Sequence, residues 1–306
     1  MSNDPHAALI GAFVAEAAVS PSREITALNL AAWQNIVPYR DGHGIPTTNL
    51  IRGYVELSRA CGTPFTDPVN TAAFAAADAA VARPNVRDPL DYPAFQAFKD
   101  YLAANHASTT TNGALIRAPA LATWASIVPS QFLFDEAIAA ADAEFTHPSQ
   151  VCVEVNKVYV KALTHLLMQV DPEMVLDIVS DYVAEDIESE EVRRWFLEDS
   201  AMAIEFIDCS DDPSHVRHAF TLTMHFLRHS DISYEEAIHL TIAKGGDIAA
   251  NAAVVGALVA AYHPVPEEAV ADLAAAAGPL QQYCASSLLD KSLYAYVRNN
   301  YSWQGL

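Results

Sequence analysis

Positive charge and cysteine are both scarce in this sequence. The 306 residues include 17 lysines and arginines against 38 aspartates and glutamates, which gives a formal net charge of −21. A chain of that charge repels phosphate backbones, so we expect no nucleic-acid partner. The cysteines are widely spaced and form no Cys-x-x-Cys pair, which argues against a zinc knuckle and for free buried thiols. They are Cys61, Cys152, Cys209 and Cys284.

Long apolar runs and short catalytic motifs are also missing. No apolar run is long enough to span a bilayer, and the first residues lack the charged and apolar regions of a signal peptide. We therefore expect a soluble, cytoplasmic protein with no membrane partner. The sequence contains no Gly-x-Ser-x-Gly nucleophile motif, no P-loop and no Gly-x-Gly-x-x-Gly motif. It therefore indicates neither a catalytic serine of the hydrolase type nor a standard nucleotide-binding loop.

Hydrophobic residues are abundant, at 52% of the chain, with many alanines and few β-branched runs. Alanine is the best helix former, so the sequence predicts an all-α fold. No strand pair, fixed-period repeat or linker composition is visible, which favours a single domain over residues 1–306. Helices are predicted over residues 7–19, 47–60, 66–82, 91–104, 120–128, 131–145, 146–170, 172–184, 189–206, 215–229, 233–244, 247–262, 266–277 and 279–297.

A glycine turn followed by a helix of small residues begins at residue 245. Gly245 and Gly246 permit a tight turn, and Asp247 is placed to cap the helix over residues 247–262. Most residues of that helix are small, so another helix or a ligand can approach it closely. Residues 245–253 read Gly-Gly-Asp-Ile-Ala-Ala-Asn-Ala-Ala.

This segment resembles the C-terminal signature of the ADP-ribosylglycohydrolase family, Gly-Gly-Asp-Thr-Asp-Thr-Asn-Ala-Ala. Three further segments resemble family motifs in the same order along the chain. Residues 11–21 are similar to Gly-Ala-Leu-Val-Gly-Asp-Ala-Leu-Gly-x-Pro, with Glu16 where aspartate is usual. Residues 112–121 resemble Asn-Gly-Ala-x-Met-Arg-x-x-Pro-Leu, and residues 146–148 resemble a Thr-His motif that opens a helix. The resemblance implies the family's orthogonal multi-helix bundle, with a small-molecule ligand in its central cleft.

The resemblance also implies a site for two magnesium ions, and this sequence departs from it. In the family, the ions lie between an N-terminal Thr-Asp-Asp-Thr motif and the C-terminal aspartate and threonine. Here the last two are Ala249 and Ala250, which offer no oxygen ligand. We expect the N-terminal motif at residues 45–48, which read Ile-Pro-Thr-Thr and keep only Thr48. The sequence therefore predicts no magnesium site and no other cofactor.

Polar residues nevertheless persist at the motif positions. The resemblance assigns candidate catalytic roles to Glu16, His147 and Asp247, with Glu16 or Asp247 as base and His147 as acid. Structural roles compete with each: an ion pair of Glu16 with Arg117 or Lys244, a helix-start position for His147, and capping by Asp247. The candidate substrate-binding residues are Thr48, Asn112, Gly113, Arg117, Gly245, Gly246 and Asn251, with a turn role as the alternative for Asn112.

A row of histidines lies along the predicted helix over residues 215–229. His225 and His229 are four residues apart and share a face, and His218 lies seven residues before His225. Such spacing can bind zinc, but no carboxylate or cysteine stands at companion spacing. A solvated or core-edge row is the interpretation we favour, and metal binding by His215, His218, His225 and His229 stays open.

Three functions are compatible with these residues. In the first, the cleft has been adapted to metal-independent acid/base chemistry on a small molecule, such as hydrolysis, elimination or cyclisation. Alternatively, the protein is a non-catalytic structural or binding member of the family, crystallin-like or an ADP-ribose-binding pseudoenzyme. A third possibility is residual ADP-ribosyl hydrolysis. The sequence leaves open whether the protein is an enzyme, which substrate it takes and how its chains associate.

Overall fold

A computed structural model describes residues 6–39, 44–62, 64–81, 92–129 and 134–270. These residues form thirteen α-helices, four short 3₁₀ helices and no strand, and Thr111 and His215 form an isolated bridge. The all-α prediction is confirmed. The α-helices are α1 (Ala7–Val19), α2 (Glu24–Ile36), α3 (Thr47–Cys61), α4 (Pro68–Ala77), α5 (Tyr92–Asn105), α6 (Ala118–Ile127), α7 (Asp135–Ala143), α8 (Gln150–Leu167), α9 (Pro172–Asp186), α10 (Glu190–Leu197), α11 (Val216–Arg228), α12 (Tyr234–Ala243) and α13 (Ile248–Ala260).

The helix that the sequence analysis missed is α2. Its N-terminus is held by the buried carboxylate of Glu16, which accepts hydrogen bonds from the N–H groups of Ile25 and Thr26 at 2.9 and 2.8 Å. The helical spacing of buried residues was present in the sequence, since Ile25, Leu28 and Ile36 all lie in the core. The predicted helix over residues 189–206 is also shorter than expected, because α10 ends at Leu197 and two 3₁₀ turns follow.

At the centre of the fold, α1 packs against α13. Both helices consist mainly of small and apolar residues and are buried along most of their length. The contact is close because glycines face each other: a Cβ on Gly256 would lie 2.7 Å from the Cβ of Ala15 and 2.7 Å from the carbonyl oxygen of Gly11. The small-residue helix therefore receives another helix along its middle, and its two half-exposed residues, Ile248 and Ala249, lie at its N-terminal end.

The remaining helices surround this pair. Helices α11 and α12 flank α13, while α6, α7 and α9 pack on α8. Helix α2 joins α3 to α6, and a second small core forms between α3, α4 and α5. In this arrangement the N-termini of α4 and α13 both lie at the loop before α6. The polar motifs meet at this loop.

Three of the four cysteines, Cys61, Cys152 and Cys209, are buried, and Cys152 and Cys209 are free thiols. Cys284 lies outside the described residues, as do the predicted helix over 279–297 and most of the one over 266–277. The prediction of a single domain over residues 1–306 stays a prediction. Within the described ranges, no helix is both long and apolar enough to cross a membrane.

Candidate functional site

Three chain segments meet around the loop over residues 109–113. The backbone N–H of Asn112 donates to the carbonyl oxygen of Ser214 at 2.9 Å, and that of Val216 donates to Thr110 at 2.7 Å. The N–H of Asp247 donates to the carbonyl oxygen of Pro213 at 2.9 Å. These bonds fasten the segment at the start of α11 to the loop on one side and to the start of α13 on the other.

Asp247 caps α13, as the sequence predicts. Its Oδ1 accepts a hydrogen bond from the N–H of Ala250 at 3.1 Å, and its Oδ2 accepts one from the side-chain amide of Asn112 at 3.3 Å. Asn112 is buried, whereas Asp247 is half-exposed. The two residues of the C-terminal and central motifs are thus brought together at the protein surface.

The double glycine forms a turn that only glycine adopts easily. Gly245 and Gly246 have φ values of +74° and +72°, and a Cβ on Gly246 would lie 2.6 Å from the carbonyl oxygen of Cys209. Beneath the turn, the amide of buried Asn251 donates to the carbonyl oxygen of Gly245 at 3.2 Å, while its Oδ1 has no partner. Asn251 therefore supports the turn from inside the protein.

The other half of the cluster is built around Asp67 and His147. Asp67 caps α4, with Oδ1 accepting from the N–H of Val69 at 2.7 Å. Its Oδ2 accepts from the hydroxyl of Thr111 at 2.8 Å and lies 3.4 Å from Nε2 of His147. A Cβ on Gly113 would overlap Oδ2 of Asp67, so glycine is required there. Asp67 was not among the residues predicted for the site.

Arg117 is fully buried, and its guanidinium group is saturated. Nε donates to Oδ2 of Asp142 at 2.7 Å, and Nη1 donates to Asn70 and to the carbonyl oxygen of Gly113. Nη2 donates to the carbonyl oxygen of Asp142 and to the hydroxyl of Thr146. Because a guanidinium has five N–H donors, none remains for a substrate. Arg117 holds the loop in place from below.

A directed chain of hydrogen bonds runs from Arg117 to Asp67. The Thr146 hydroxyl accepts from Arg117 and contacts Nδ1 of His147 at 2.7 Å. Nε2 of His147 contacts the Thr111 hydroxyl at 2.7 Å, and that hydroxyl donates to Asp67. The order of donors assigns the Nε2–H tautomer to a neutral His147, because Thr146 is left to donate to Nδ1.

The electrostatics agree with this assignment. Burial lowers the pKa of His147 below its ordinary value, although the neighbouring Asp67 works in the opposite direction. For Asp67, burial works to raise the pKa, but the hydrogen bond and charge of His147 together with the bond from Thr111 outweigh it. The pKa of Asp67 is therefore held below its ordinary value. At neutral pH the pair consists of a carboxylate and a neutral imidazole.

Glu16 and Thr48 lie apart from these contacts. The carboxylate of Glu16 binds the start of α2, including the Thr26 hydroxyl at 2.6 Å. Burial raises its pKa despite these bonds. Among the described residues, neither Arg117 nor Lys244 forms an ion pair with it. Thr48 lies half-buried in the first turn of α3, and the hydrogen bonds that build the cluster do not include it.

The sequence and fold agree on a family assignment. A family model described as ADP-ribosylglycohydrolase matches residues 6–300. This chain belongs to the ADP-ribosylglycohydrolase family. A solved structure titled "ADP-ribosylglycohydrolase-related protein complex" is similar over 97% of this chain and 100% of that chain, with a TM-score of 0.64 and 16% identity. At that identity the likeness shows the fold alone. Comparison with curated proteins gave no match.

Residues 66–69 are a second candidate position for the N-terminal Thr-Asp-Asp-Thr motif. Thr66-Asp67 opens a helix and is similar to the first half of Thr-Asp-Asp-Thr, with Pro68 and Val69 in the second half. Its backbone is anchored by buried Glu24, which accepts from the N–H and hydroxyl of Thr66 at 2.8 Å. The helix-capping signal Thr-Asp-Pro could have drawn attention to Asp67, but its partners are visible only in the fold.

The residues of the cluster do not fit the family's magnesium ions. The carboxylates of Asp67 and Asp247 are each engaged by a helix N–H and by side-chain donors. The other motif positions are Pro68, Val69, Ala249 and Ala250, whose side chains carry no oxygen. Magnesium demands several oxygen ligands in octahedral geometry. In the part of the chain that the structure describes, no three histidine, cysteine or acidic residues are grouped to hold a metal.

The histidine row on α11 bonds mainly to backbone. His218 is buried, and its Nε2 contacts the carbonyl oxygen of Asp211 at 2.6 Å. His225 is buried with Nδ1 3.1 Å from the carbonyl oxygen of Ser200, and its ring lies 4.5 Å from that of exposed His229. These contacts anchor the segments that pack on α11.

Proposed function

We propose that this chain is a binding member of the ADP-ribosylglycohydrolase family, which holds an ADP-ribose-like ligand at the start of α13 without hydrolysing it. One observation carries the proposal. The acid/base side chains expected to do the chemistry are engaged in internal hydrogen bonds, while the glycine turn and first residues of α13 are half-exposed.

The acid/base groups are poorly placed for proton transfer. A general base needs a free lone pair within reach of the substrate. His147 has no exposed surface and both of its ring nitrogens have partners. The lowered pKa of Asp67 makes it a weaker base, and Glu16 is used to hold α2. These placements support ligand binding without hydrolysis.

The start of α13 offers complementary binding groups. The positive end of a helix dipole and its free N–H groups attract phosphates. Ile248 and Ala249, the first two residues of α13, are half-exposed, and no hydrogen bond from their N–H groups is described. The carboxylate of Asp247 beside them disfavours a simple anion but accepts hydrogen bonds from hydroxyls. ADP-ribose supplies both a diphosphate and ribose hydroxyls, which suits this mixture of groups.

Calorimetric titration with ADP-ribose in the presence of a chelator tests the proposal. We expect binding without magnesium and no turnover of an ADP-ribosylated arginine compound. Ala249→Glu places a negative charge at the helix start and should weaken binding at least tenfold, whereas Ala249→Gln, of the same size, should change it little. Equal effects of the two variants, or no binding by the unmodified protein, would overturn it.

Acid/base chemistry at Asp247 is the second candidate. It is favoured by the half-exposed carboxylate of Asp247, whose Oδ2 accepts only a long 3.3 Å bond from Asn112 among the described contacts. Metal-free turnover of an ADP-ribosylated compound that is abolished in Asp247→Asn would replace the binding proposal with this one. Binding without turnover in both proteins would leave the binding proposal in place.

A further inference from the structure

A pocket lies away from the motif cluster, between the segment after α10 and residues 217–221 of α11. Its volume is about 220 Å³. This is smaller than the pockets that hold drug-sized molecules and nucleotides. It is lined by Asp199, Met202, Phe206, Ile207, Asp208, Arg217, His218 and Thr221. None of these residues belongs to a motif of the family or to the hydrogen bonds of the cluster.

One side of the pocket is apolar and exposed. Phe206 is 74% exposed and Met202 is 44% exposed, although both are large hydrophobic residues. Beside them Ile207 is buried. A flexible thioether next to an aromatic ring adapts to ligands of different shape, and a planar apolar group would cover both. This wall favours a ligand with an apolar side chain.

Charges of both signs stand around the apolar wall. Arg217 is half-buried and forms no ion pair with any described residue. Its planar guanidinium is suited to a carboxylate. Asp199 and Asp208 also line the pocket, and their carboxylates suit an ammonium group. A ligand with only a negative charge would be repelled by the two aspartates, and one with only a positive charge would be repelled by Arg217.

The inner wall contains a hydroxyl without a partner. Thr221 is 4% exposed, and its Oγ1 makes no hydrogen bond. On the same helix, the buried Thr223 donates to the carbonyl oxygen of Ala219, four residues earlier, at 2.6 Å. An unpaired buried hydroxyl destabilises the protein, and a polar ligand group in the pocket would give it a partner.

From these observations we propose that the pocket binds a free amino acid with a large apolar side chain. The side chain would cover Phe206 and Met202, the carboxylate would pair with Arg217, and the ammonium would face Asp199 and Asp208. Asp208 already accepts hydrogen bonds from Ser210 at 3.0 Å, which holds its carboxylate at the rim. The site does not rest on the function proposed for the cluster.

Calorimetric titration with L-phenylalanine tests the site. Three analogues separate its features: 3-phenylpropionate lacks the ammonium, phenethylamine lacks the carboxylate, and glycine lacks the apolar group. We expect phenylalanine to bind at least tenfold more tightly than each of them. Comparable binding of phenylpropionate or phenethylamine would overturn the zwitterion assignment, and no binding of phenylalanine would overturn the site.

Substitutions in the pocket test whether phenylalanine binds there. Arg217→Met should weaken phenylalanine binding more than about tenfold, and Thr221→Val about three- to tenfold. Thr221→Val should leave the melting temperature unchanged or higher, because it removes an unpaired hydroxyl. Thr223→Val, on the same helix but outside the pocket, is the matched control and should leave affinity unchanged. The proposal would be contradicted if Thr223→Val lost affinity for phenylalanine while the pocket variants kept it. Full affinity in Arg217→Met would contradict it as well.

Discussion

Nε of Arg117 lies 2.7 Å from Oδ2 of Asp142, and neither side chain has any exposed surface. The pair joins the loop over residues 109–113 to the end of α7, because Arg117 also binds the carbonyl oxygen of Gly113. The family motif that contains this arginine thus has a structural role here. Arg117 fixes the position of the loop that contains Asn112 and Gly113.

Replacing Arg117 should be strongly destabilising. Arg117→Met leaves the carboxylate of Asp142 buried without its cationic partner and with only the Tyr54 hydroxyl as a side-chain donor, and we expect a loss of about 3–5 kcal/mol in the free energy of unfolding. Urea denaturation measures it. The control is Arg59→Met, because Arg59 pairs with Asp78 at the surface, where the side chains are 55% and 48% exposed. That variant should lose less than about 1 kcal/mol. Similar losses for both would contradict the role of Arg117.

The pH dependence of stability should report on His147. Its pKa in the folded protein is lowered by burial, so below about pH 6.5 the unfolded chain binds a proton that the folded one does not. Its contribution to stability is therefore complete well above about pH 6.5 and is lost progressively as the pH falls from there to the lowered pKa of the folded protein. The slope for His147→Gln should be shallower by up to about 1.4 kcal/mol per pH unit just below about pH 6.5.

The measurement is urea denaturation at a series of pH values. Other histidines with lowered pKa values, such as His106 and His225, contribute to both proteins, and the difference in slope isolates His147. Above pH 8 the two slopes should coincide, which serves as the internal control. Parallel curves at every pH would mean that His147 takes up its proton in the folded protein as well.

The contact of α1 with α13 gives a prediction in which two effects have opposite signs. Gly256→Ala raises helix propensity, which alone would stabilise α13 by about 1 kcal/mol. The added Cβ would lie 2.7 Å from that of Ala15, and overpacking of this kind costs about 1–3 kcal/mol. We expect net destabilisation in thermal and urea unfolding. A more stable variant would show that α1 moves away without cost.

Oxygen ligands placed at the altered motif positions should create magnesium binding. Pro68→Asp together with Ala249→Asp puts a carboxylate beside Asp67 and another beside Asp247, both near the first turn of a helix. We expect magnesium to release heat and raise the melting temperature at millimolar concentration in this variant. The matched control is Pro68→Asn with Ala249→Asn. An equal response from the control, or none from either, would contradict the alignment of Asp67 with the N-terminal motif.

Much of the fold was predictable from local pattern. The alanine-rich apolar segments predicted the all-α class, and the Gly-Gly-Asp segment predicted both the turn and the cap of α13, because these depend on neighbouring residues alone. Helix α2 also had apolar residues at helical spacing, but its N-terminus is capped by Glu16 from another helix. The residue at its N-cap position, Arg23, makes no capping hydrogen bond with its side chain.

The cluster could be predicted only in part. The motifs predicted that Asn112, His147 and Asp247 belong together, and hydrogen bonds join Asn112 to Asp247. Asp67 was missed because it is 44 residues from Thr111 in the chain and becomes a partner of His147 only when α4 reaches the loop. The burial of His147 could not be inferred either, because a motif does not show whether its side chains are buried or exposed to water.

The sequence by itself determined the helical class, the family motifs, the cap at Asp247 and the absence of carboxylates at Ala249 and Ala250, because each depends on residue identity or on contacts within one turn. The tertiary structure alone decided that Arg117 and His147 are buried with every donor or acceptor engaged, and that Asp67 completes the cluster. Hydrogen bonds between distant segments remove these groups from solvent, and so determine which polar residues remain able to meet a ligand.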